Sequence, residues 1–143
     1  MRRLLLGITA LLVAVSALNL PTQEACGHGA KPATKPPVKG KPQTISFAED
    51  VFPVFKGRCI DCHQPGGKGH EASGLDLTTY EGLMKGTKFG PIVVAGDPDT
   101  SNLIWLLDWR ASPQLRMPHG AKKLSTCDRS AIRTWIREGA NNN

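Results

Sequence analysis

The pentapeptide Cys59-Ile60-Asp61-Cys62-His63 is the stretch of this chain that says most about its fold. A C-x-x-C-H pattern is the attachment signature of a c-type haem, in which two thiols bond to the porphyrin vinyl groups and the adjacent imidazole binds the iron. A short helical turn sets both sulfurs over one edge of the macrocycle and leaves the next side chain aimed at its centre. The motif therefore predicts one haem c per chain, attached through Cys59 and Cys62, with His63 as an axial ligand. The other ring nitrogen of His63 is expected to donate to a backbone carbonyl in the loop that follows.

A bare C-x-x-C pair also occurs in redox dithiols and as half of a zinc site. The dithiol interpretation usually has a βαβ context, which the surrounding sequence does not indicate. A zinc site requires a further strong ligand at suitable spacing, and the chain has no second C-x-x-C and no H-x-x-x-H. The pattern therefore favours haem attachment over both alternatives.

Residues 1–25 have the features of an export signal. Arg2 and Arg3 form a basic start, Leu4 to Ala17 is an apolar run, and small side chains at 15–17 suit a signal peptidase. Because haem c is attached outside the cytoplasm, an exported chain and the C-x-x-C-H motif belong together, which predicts a periplasmic protein. An uncleaved membrane anchor is the alternative, although the apolar run is short for a span of about 20 residues.

Residues 26–43 are predicted to form a linker. The segment 27–43 reads GHGAKPATKPPVKGKPQ and has no apolar periodicity, so it should be extended and polyproline-like. Two interpretations stay open for this segment. It is either a tether that joins the following domain to a membrane, or a solvated spacer.

The chain as a whole carries a net positive charge, but its predicted folded part is nearly neutral. The protein has 18 Lys and Arg against 12 Asp and Glu, but the leader and the linker hold six of the basic residues. Residues 44–143 are close to neutral, with 12 basic and 11 acidic side chains. A nucleic-acid partner is therefore not predicted, because the excess charge lies on the arm rather than on a folded face.

Residues 44–143 are predicted to form one all-α domain, so small that a covalently held apolar cofactor would supply much of its core. Two capping-box patterns, Ser46-x-x-Glu49 and Ser125-x-x-Asp128, indicate the first and the last helix. Pro53 lies inside the helix that the Ser46 pattern predicts, so this helix either begins later in the chain or is kinked at Pro53.

Between these two helices the sequence predicts two more. One opens with Thr78-x-x-Glu81, and another follows residues 98–101 and ends near Trp109. Strand signals are nearly absent, since the apolar stretch at 92–94 is too short to count. The apolar face of the last helix is predicted to hold Ile132, Trp135 and Ile136.

A low-spin electron carrier needs a sixth iron ligand, and Met117 in the stretch RMPHG is the leading candidate. A thioether favours ferrous iron and raises the reduction potential relative to a second histidine. His119 is the rival ligand in the same loop, and an open distal position is the remaining alternative. Other candidates are weaker: Met84 fits a helical apolar pattern, while His28 in the linker and His70 in a Gly-rich loop are expected to face solvent.

Five stretches of the sequence resemble monohaem cytochromes c of the class I type, and more closely the planctomycete-type cytochrome c domains. They are FAEDVFPVFKGRCIDCH, SGLDLTTYEGLMKG, GPIVVAGDPDTSNLIWLL, RMPHG and LSTCDRSAIRTWIREGA, which cover nearly all of residues 47–140. The resemblance implies helices wrapped around one covalently attached haem, with His63 proximal, Met117 distal and the last helix crossing the first. Where such domains often read Met-Pro-Pro, this chain has Met-Pro-His, which keeps His119 as an alternative ligand.

Cys26 and Cys127 are the cysteines that the motif leaves over. In an oxidising compartment such a pair suggests a disulfide, which would tie the start of the linker to the first turn of the last helix. Lipidation of Cys26 is a second interpretation, although residues 23–25 lack the pattern of a lipobox. A third is that Cys127 is simply a small buried residue.

The function that these features predict is one-electron transfer rather than catalysis, by haem iron with both axial positions filled. Redox proteins are the expected partners. Two alternatives share the cofactor: a haem subunit of a membrane oxidoreductase, and a haem sensor or enzyme with an open or His119-ligated distal site. The apolar wall of the haem pocket is expected to include Phe52, Phe55, Leu75, Leu77, Ile92, Trp105 and Trp135.

Overall fold

The computed structural model describes residues 45–143. The elements in chain order are a π-helical turn (Phe47–Val51), α1 (Phe52–Arg58), α2 (Lys68–Ser73), α3 (Tyr80–Lys85), α4 (Asn102–Leu107), a 3₁₀ turn (Pro113–Leu115) and α5 (Thr126–Arg137). The β structure of these residues is limited to an isolated bridge between Thr87 and Gly90, so the prediction of an all-α domain is confirmed. The predictions for the leader 1–25 and the linker 26–43, including those for Cys26 and His28, lie outside the described residues.

Ser46 caps the first helical segment as its sequence pattern predicts, except that Asp50 takes the place of Glu49 in one of the two hydrogen bonds. Its hydroxyl oxygen accepts a hydrogen bond from the Glu49 amide at 3.2 Å. The return bond, which a capping box assigns to Glu49, is made by Asp50, whose carboxylate accepts from the Ser46 amide at 2.8 Å. The wider π-helical turn explains why the fourth residue rather than the third reaches the cap. Pro53 lies in the first turn of α1, where a missing amide hydrogen is tolerated, so the α-helix begins after the π-helical turn.

The middle of the domain departs from the predicted helix positions. The cap of α3 is Thr79, whose hydroxyl accepts from the Gly82 amide at 3.0 Å. The predicted cap, Thr78, instead donates its hydroxyl to the Asp76 carboxylate at 2.6 Å. Helix α2 has no counterpart in the sequence prediction, because glycines at 66, 67 and 69 are typical of a loop. It contains His70, which is half-buried in a helix rather than solvent-facing in a loop.

Helices α4 and α5 follow the sequence prediction more closely. Helix α4 ends at Leu107, slightly before the predicted limit near Trp109, which itself has a left-handed backbone with φ of 60°. Helix α5 begins at its predicted cap, where the Ser125 hydroxyl accepts from the Asp128 amide at 3.0 Å. The buried face of α5 consists of the predicted residues Ile132, Trp135 and Ile136.

An aromatic cluster joins the first helical segment to the last helix. The ring centroid of Phe47 lies 5.4 Å from that of Trp135 and 5.2 Å from that of Tyr80, the latter pair edge-on. Trp135 is fully buried and donates its indole N–H to the Asn141 carbonyl, while Tyr80 donates its hydroxyl to the Ala140 carbonyl. Such aromatic pairs contribute about 0.5–1.5 kcal/mol beyond the area they bury. The last helix therefore packs against the start of the domain.

Most of the side chains predicted to form an apolar wall are buried. The members that belong to the core are Phe55, Leu75, Leu77, Ile92 and Trp135. Phe52 is half-buried and packs against them. Trp105 does not belong to the core: it is 45% exposed and stacks below the Arg110 guanidinium, which lies 4.4 Å from the ring centroid. It falls on the solvent side of α4 because other apolar residues of that helix occupy the inner face.

Hydrogen bonds join the two ends of the described segment. The Asn143 backbone carbonyl accepts from the Ser46 hydroxyl at 2.8 Å, and the Asn143 side-chain oxygen accepts from the Phe47 amide at 2.9 Å. The Glu138 carboxylate accepts from the Ile45 amide at 2.9 Å. Between residues 45 and 143, none of the helices has the length and apolar character needed to cross a lipid bilayer.

Asp108, directly after α4, is the centre of an ion-pair cluster with α5. Its carboxylate oxygens contact Arg129 and Arg133, each at 2.6 Å, and Arg133 also reaches Asp99 at 2.8 Å. Burial raises the pKa of Asp108, but the hydrogen bonds and charges of the two arginines outweigh it, so that this pKa lies below its usual value. The Asp108 side chain is 17% exposed and that of Asp99 is 80% exposed, so Asp108 should contribute more to stability.

Replacing Asp108 with Asn is expected to lower the free energy of unfolding by about 1–2 kcal/mol at pH 7, because two partly buried guanidinium groups lose their counterion. Since the folded-state pKa of Asp108 is depressed, its stabilising effect is present above the unfolded value of about 3.9 and is lost as the pH falls through the folded value. Urea unfolding at pH 7 and below pH 4, followed by circular dichroism, measures both effects. The matched control Asp99→Asn should have little effect, and an Asp108→Asn change no larger than the control's would contradict this assignment.

Candidate functional site

The C-x-x-C-H motif begins where α1 ends. Cys59 caps that helix, and its amide donates to the Phe55 carbonyl at 2.8 Å. The Cys59 carbonyl then accepts from the amide of Cys62 at 3.2 Å and from that of His63 at 3.0 Å. The short helical turn expected of the motif is therefore present, and it carries both thiols and the imidazole.

The two thiols of the motif are free and differ in exposure. Cys62 is exposed, whereas Cys59 is half-buried and packs against the apolar core. Burial raises the pKa of Cys59 to about 11; the positive charge of Arg58 opposes this rise and the neighbouring Cys62 adds to it. The Cys59 thiol therefore keeps its hydrogen at neutral pH. This is the opposite of the lowered thiol pKa that redox C-x-x-C pairs use.

Cys59, Cys62 and His63 are not gathered around a common metal position in the part of the chain that the structure describes. Structural zinc requires four converging ligands, and residues 45–143 contain no group of three or more His, Cys, Asp or Glu side chains arranged to bind a metal ion. Cys59, Cys62 and His63 therefore do not converge on one point. Haem attachment needs such divergence, since the sulfurs bond to the porphyrin edge and only the imidazole reaches the iron.

His63 is the buried polar group at the centre of the site, with only 9% of its surface exposed. Burial is the largest influence on the pKa of its imidazole and lowers it. The Leu75 carbonyl raises this pKa, and the charge of His70 lowers it further, so that the net shift is downward. The buried Nδ1 atom has no hydrogen-bond partner, so the bond predicted between this nitrogen and a carbonyl of the following loop is not formed, not even with Leu75. A neutral imidazole is the form of histidine that binds metal. The donor set of two free thiols and this imidazole fits a c-type haem.

Helix α2 closes over the motif and restricts the imidazole. The His70 amide donates to the Cys62 carbonyl at 2.9 Å, and the Leu77 amide donates to the His63 carbonyl at 2.8 Å. Gly69 lies directly against the imidazole, because a β-carbon at this position would be 2.8 Å from Cε1 and 2.9 Å from Nε2 of His63. Sequence reasoning missed this contact. The closely spaced glycines after the motif are the signal that could have indicated it, since glycine permits a close approach of backbone to a side chain.

Met117 and His119 occupy different environments in the loop between α4 and α5. Met117 is half-buried and packs against the apolar core, as Cys59 does. The Met117 amide donates to the Leu106 carbonyl at 3.3 Å, and the peptide bond to Pro118 is cis. His119 is exposed. The structure therefore brings Cys59 and Met117 against one core and leaves His119 at the surface.

Cys127, in the first turn of α5, is disulfide-bonded, whereas Cys59 and Cys62 are free. The interpretation of Cys127 as simply a small buried residue is therefore wrong. Its predicted partner, Cys26, lies outside the described residues, so the pairing of these two cysteines stays a prediction.

Comparison with known proteins agrees with the chemistry of the motif. Residues 59–119, from the first cysteine of the motif to His119, match the family model described as Planctomycete cytochrome C. The recognition of a cytochrome c-like domain from the sequence is therefore confirmed. No curated protein and no solved structure matches the chain.

Replacing Gly69 with Ala is expected to displace the His63 imidazole, since the new methyl group would lie within 2.9 Å of two of its ring atoms. The free energy of unfolding should fall by about 1–3 kcal/mol, as at other overpacked sites, although Ala is the better helix former. Urea unfolding of the protein produced with and without haem attachment measures this change.

Gly57→Ala is the matched control, because a β-carbon at Gly57 in α1 would meet nothing within 4 Å. This variant should keep its stability or gain up to about 1 kcal/mol. Equal effects of the two substitutions would show that α2 does not press on the imidazole.

Proposed function

We propose, from the cytochrome c-like domain that this chain contains, that the protein is a one-electron carrier with a single haem c. Cys59 and Cys62 would attach the haem, and His63 and Met117 would be the axial ligands, with the helices wrapped around the group. One observation carries the proposal. The imidazole of His63 is buried directly after two free thiols on the same turn.

A haem bound here supplies a reversible one-electron change between ferric and ferrous iron. On attachment, the thiols of Cys59 and Cys62 would each add sulfur and hydrogen across one vinyl group, so both would become thioethers and no atom would leave. His63 would bind the iron through a neutral imidazole, a form that burial favours by lowering its pKa. The Leu75 carbonyl is the candidate acceptor for Nδ1–H, a bond that would orient the ring and strengthen it as a donor.

The environment of Met117 supports it as the distal ligand in preference to His119. A half-buried thioether that already packs against the core gives up little hydration when it binds iron. His119 is exposed, whereas the Met117 backbone is bonded to α4 through the Leu106 carbonyl. With both axial positions filled, no position at the iron stays open for a substrate, which suits electron transfer rather than catalysis.

Export to the periplasm forms part of the proposal. The export signal predicted for residues 1–25 supports it, as does the disulfide-bonded state of Cys127, since disulfides persist in oxidising compartments. The alternative of a haem subunit in a membrane oxidoreductase keeps the same chemistry and differs only in the partner. It depends on the tether predicted for residues 26–43.

Basic side chains next to the attachment motif and around the loop of Met117 support an acidic redox protein as the partner. They are called the cationic rim here and are Arg58, Arg110, Arg116, Lys122 and Lys123. Arg58, next to the attachment motif, donates to the Lys122 carbonyl at 2.9 Å and so joins the motif to the loop between α4 and α5 that contains Met117. Two tryptophans lie within the rim: Trp105 beneath Arg110, and Trp109 between Arg116 and Lys123.

The cations of the rim have no carboxylate partner among the described residues, and Arg58, Arg110 and Lys122 are exposed. Within residues 45–143, none of the five forms an ion pair with a carboxylate, and the sequence from 109 to 127 contains no Asp or Glu. Trp and Arg are enriched among the residues that dominate binding at protein interfaces. Opposite charge on a partner would accelerate the small, short-lived contacts that redox proteins make.

Replacing Met117 with Leu removes the sulfur but keeps an apolar side chain of similar size. The ferric wild-type protein is expected to show the weak far-red absorption band of methionine-ligated haem, and Met117→Leu to lose it. The reduced variant should take up CO readily, whereas the wild type should resist it. His119→Ala is the matched control in the same loop and should keep the band. A wild type without the band, or its loss in His119→Ala, would overturn the assignment of Met117.

Small redox ions test the cationic rim without an identified partner. Ferricyanide should oxidise the reduced protein more slowly as ionic strength rises, because salt screens its attraction to the rim. The double substitution Arg110→Gln and Lys122→Gln should lower the ferricyanide rate by about 3–10-fold in dilute buffer. Lys85→Gln in α3 removes a charge outside the rim and should have a smaller effect. A double variant that reacts at the wild-type rate would remove the support for this surface.

A further inference from the structure

Trp109 has a backbone conformation that a bulky residue rarely adopts. It follows the end of α4 with φ of 60°, in the left-handed region where glycine, asparagine or aspartate is the usual occupant. Such a conformation persists only where the surrounding contacts over-determine it. The contacts of the Trp109 side chain should therefore show why the chain adopts this backbone conformation after α4.

The indole of Trp109 is bonded to the backbone of the proposed distal ligand. Its Nε1–H donates to the Met117 carbonyl at 2.9 Å. The Met117 amide donates in turn to the Leu106 carbonyl at 3.3 Å, in the last turn of α4. Both backbone polar groups of Met117 are therefore tied to the end of one helix. The segment between them contains only the short 3₁₀ turn.

The ring of Trp109 also contacts the chain on both sides of Met117. The Arg116 guanidinium lies 5.7 Å and the Lys123 ammonium 5.9 Å from its centroid. Lys123 is itself held in place, because its ammonium donates to the Asp108 carbonyl at 2.7 Å. The indole therefore cannot rotate away without losing contacts to residues before and after Met117.

We propose that Trp109 is a positioning residue for the distal ligand: its indole N–H, acting through the Met117 carbonyl, holds the thioether where the iron requires it. A thioether is a neutral and weak donor, so its occupancy of the sixth position depends on how little freedom the loop must lose on binding. Supporting groups that fix a ligand raise its effective affinity without touching the metal. The inference rests on the proposed His63/Met117 ligation.

The test uses the full-length, haem-loaded protein and the variant Trp109→Phe, which keeps an aromatic ring and removes the N–H donor. Exogenous imidazole should displace Met117 from the ferric iron of this variant with about 3–10-fold higher affinity, the range that loss of one hydrogen bond predicts. The far-red band should disappear at correspondingly lower imidazole concentration. Trp105→Phe is the matched control. Trp105 lies on α4, is 45% exposed and contacts Arg110. The ferric haem of this variant should therefore bind imidazole with the wild-type affinity.

A second replacement separates positioning from folding. Incorporating β-(3-benzothienyl)alanine at position 109 keeps the shape of indole but puts sulfur in place of N–H. This variant should show the same rise in imidazole affinity while its unfolding midpoint stays close to that of the wild type. Wild-type imidazole affinity in the benzothienyl variant would overturn the role of Trp109 alone. A wild-type protein that lacks the far-red band would overturn the His63/Met117 ligation and the role of Trp109 together.

Discussion

The imidazole of His63 is buried, which lowers its pKa and favours the neutral form, and its Nδ1 has no hydrogen-bond partner, an arrangement that costs stability in a small domain. The surrounding chain nevertheless holds it there. The turn after α1 positions its backbone, the Leu77 amide bonds to its carbonyl, and Gly69 of α2 leaves room for the ring and no more. Iron ligation, together with a bond from Nδ1 to the Leu75 carbonyl, would make this arrangement stabilising. Folding and haem binding are therefore linked in the proposed function.

The two candidate iron ligands are attached to two different helices, His63 to α1 and Met117 to α4. His63 follows α1, and the aromatic cluster of Phe47, Tyr80 and Trp135 packs the start of that helical segment against α5. The Met117 amide is bonded to the Leu106 carbonyl in α4, and the ion pairs of Asp108, directly after α4, connect this helix to the same helix α5. Helix α5 therefore contacts both the helical segment that precedes His63 and the end of α4. An electron carrier benefits from such rigidity, because small structural change between oxidation states keeps the reorganisation energy low.

The parts of the fold that the sequence predicted correctly depend on local interactions. Ser46 and Ser125 cap helices through bonds to amides three residues ahead, and the buried face of α5 follows from helical spacing alone. Helix α2 was missed because its glycines favour a loop in isolation. Its position depends instead on contacts with the turn of the motif, which are not local. The exposure of Trp105 was missed because helical spacing does not say which face of a short helix meets the core.

The role of Trp109 has no signature in the sequence, since nothing in the pattern of residues marks a tryptophan as left-handed or as the partner of a carbonyl eight positions away. The most direct test of the central claim is mass spectrometry of the protein produced in a bacterium that attaches haem c. The predicted result is a mass increase of one haem, carried by the peptide that contains Cys59 and Cys62 and absent from the double variant Cys59→Ala, Cys62→Ala. Unmodified thiols at both positions in protein from such cells would contradict it.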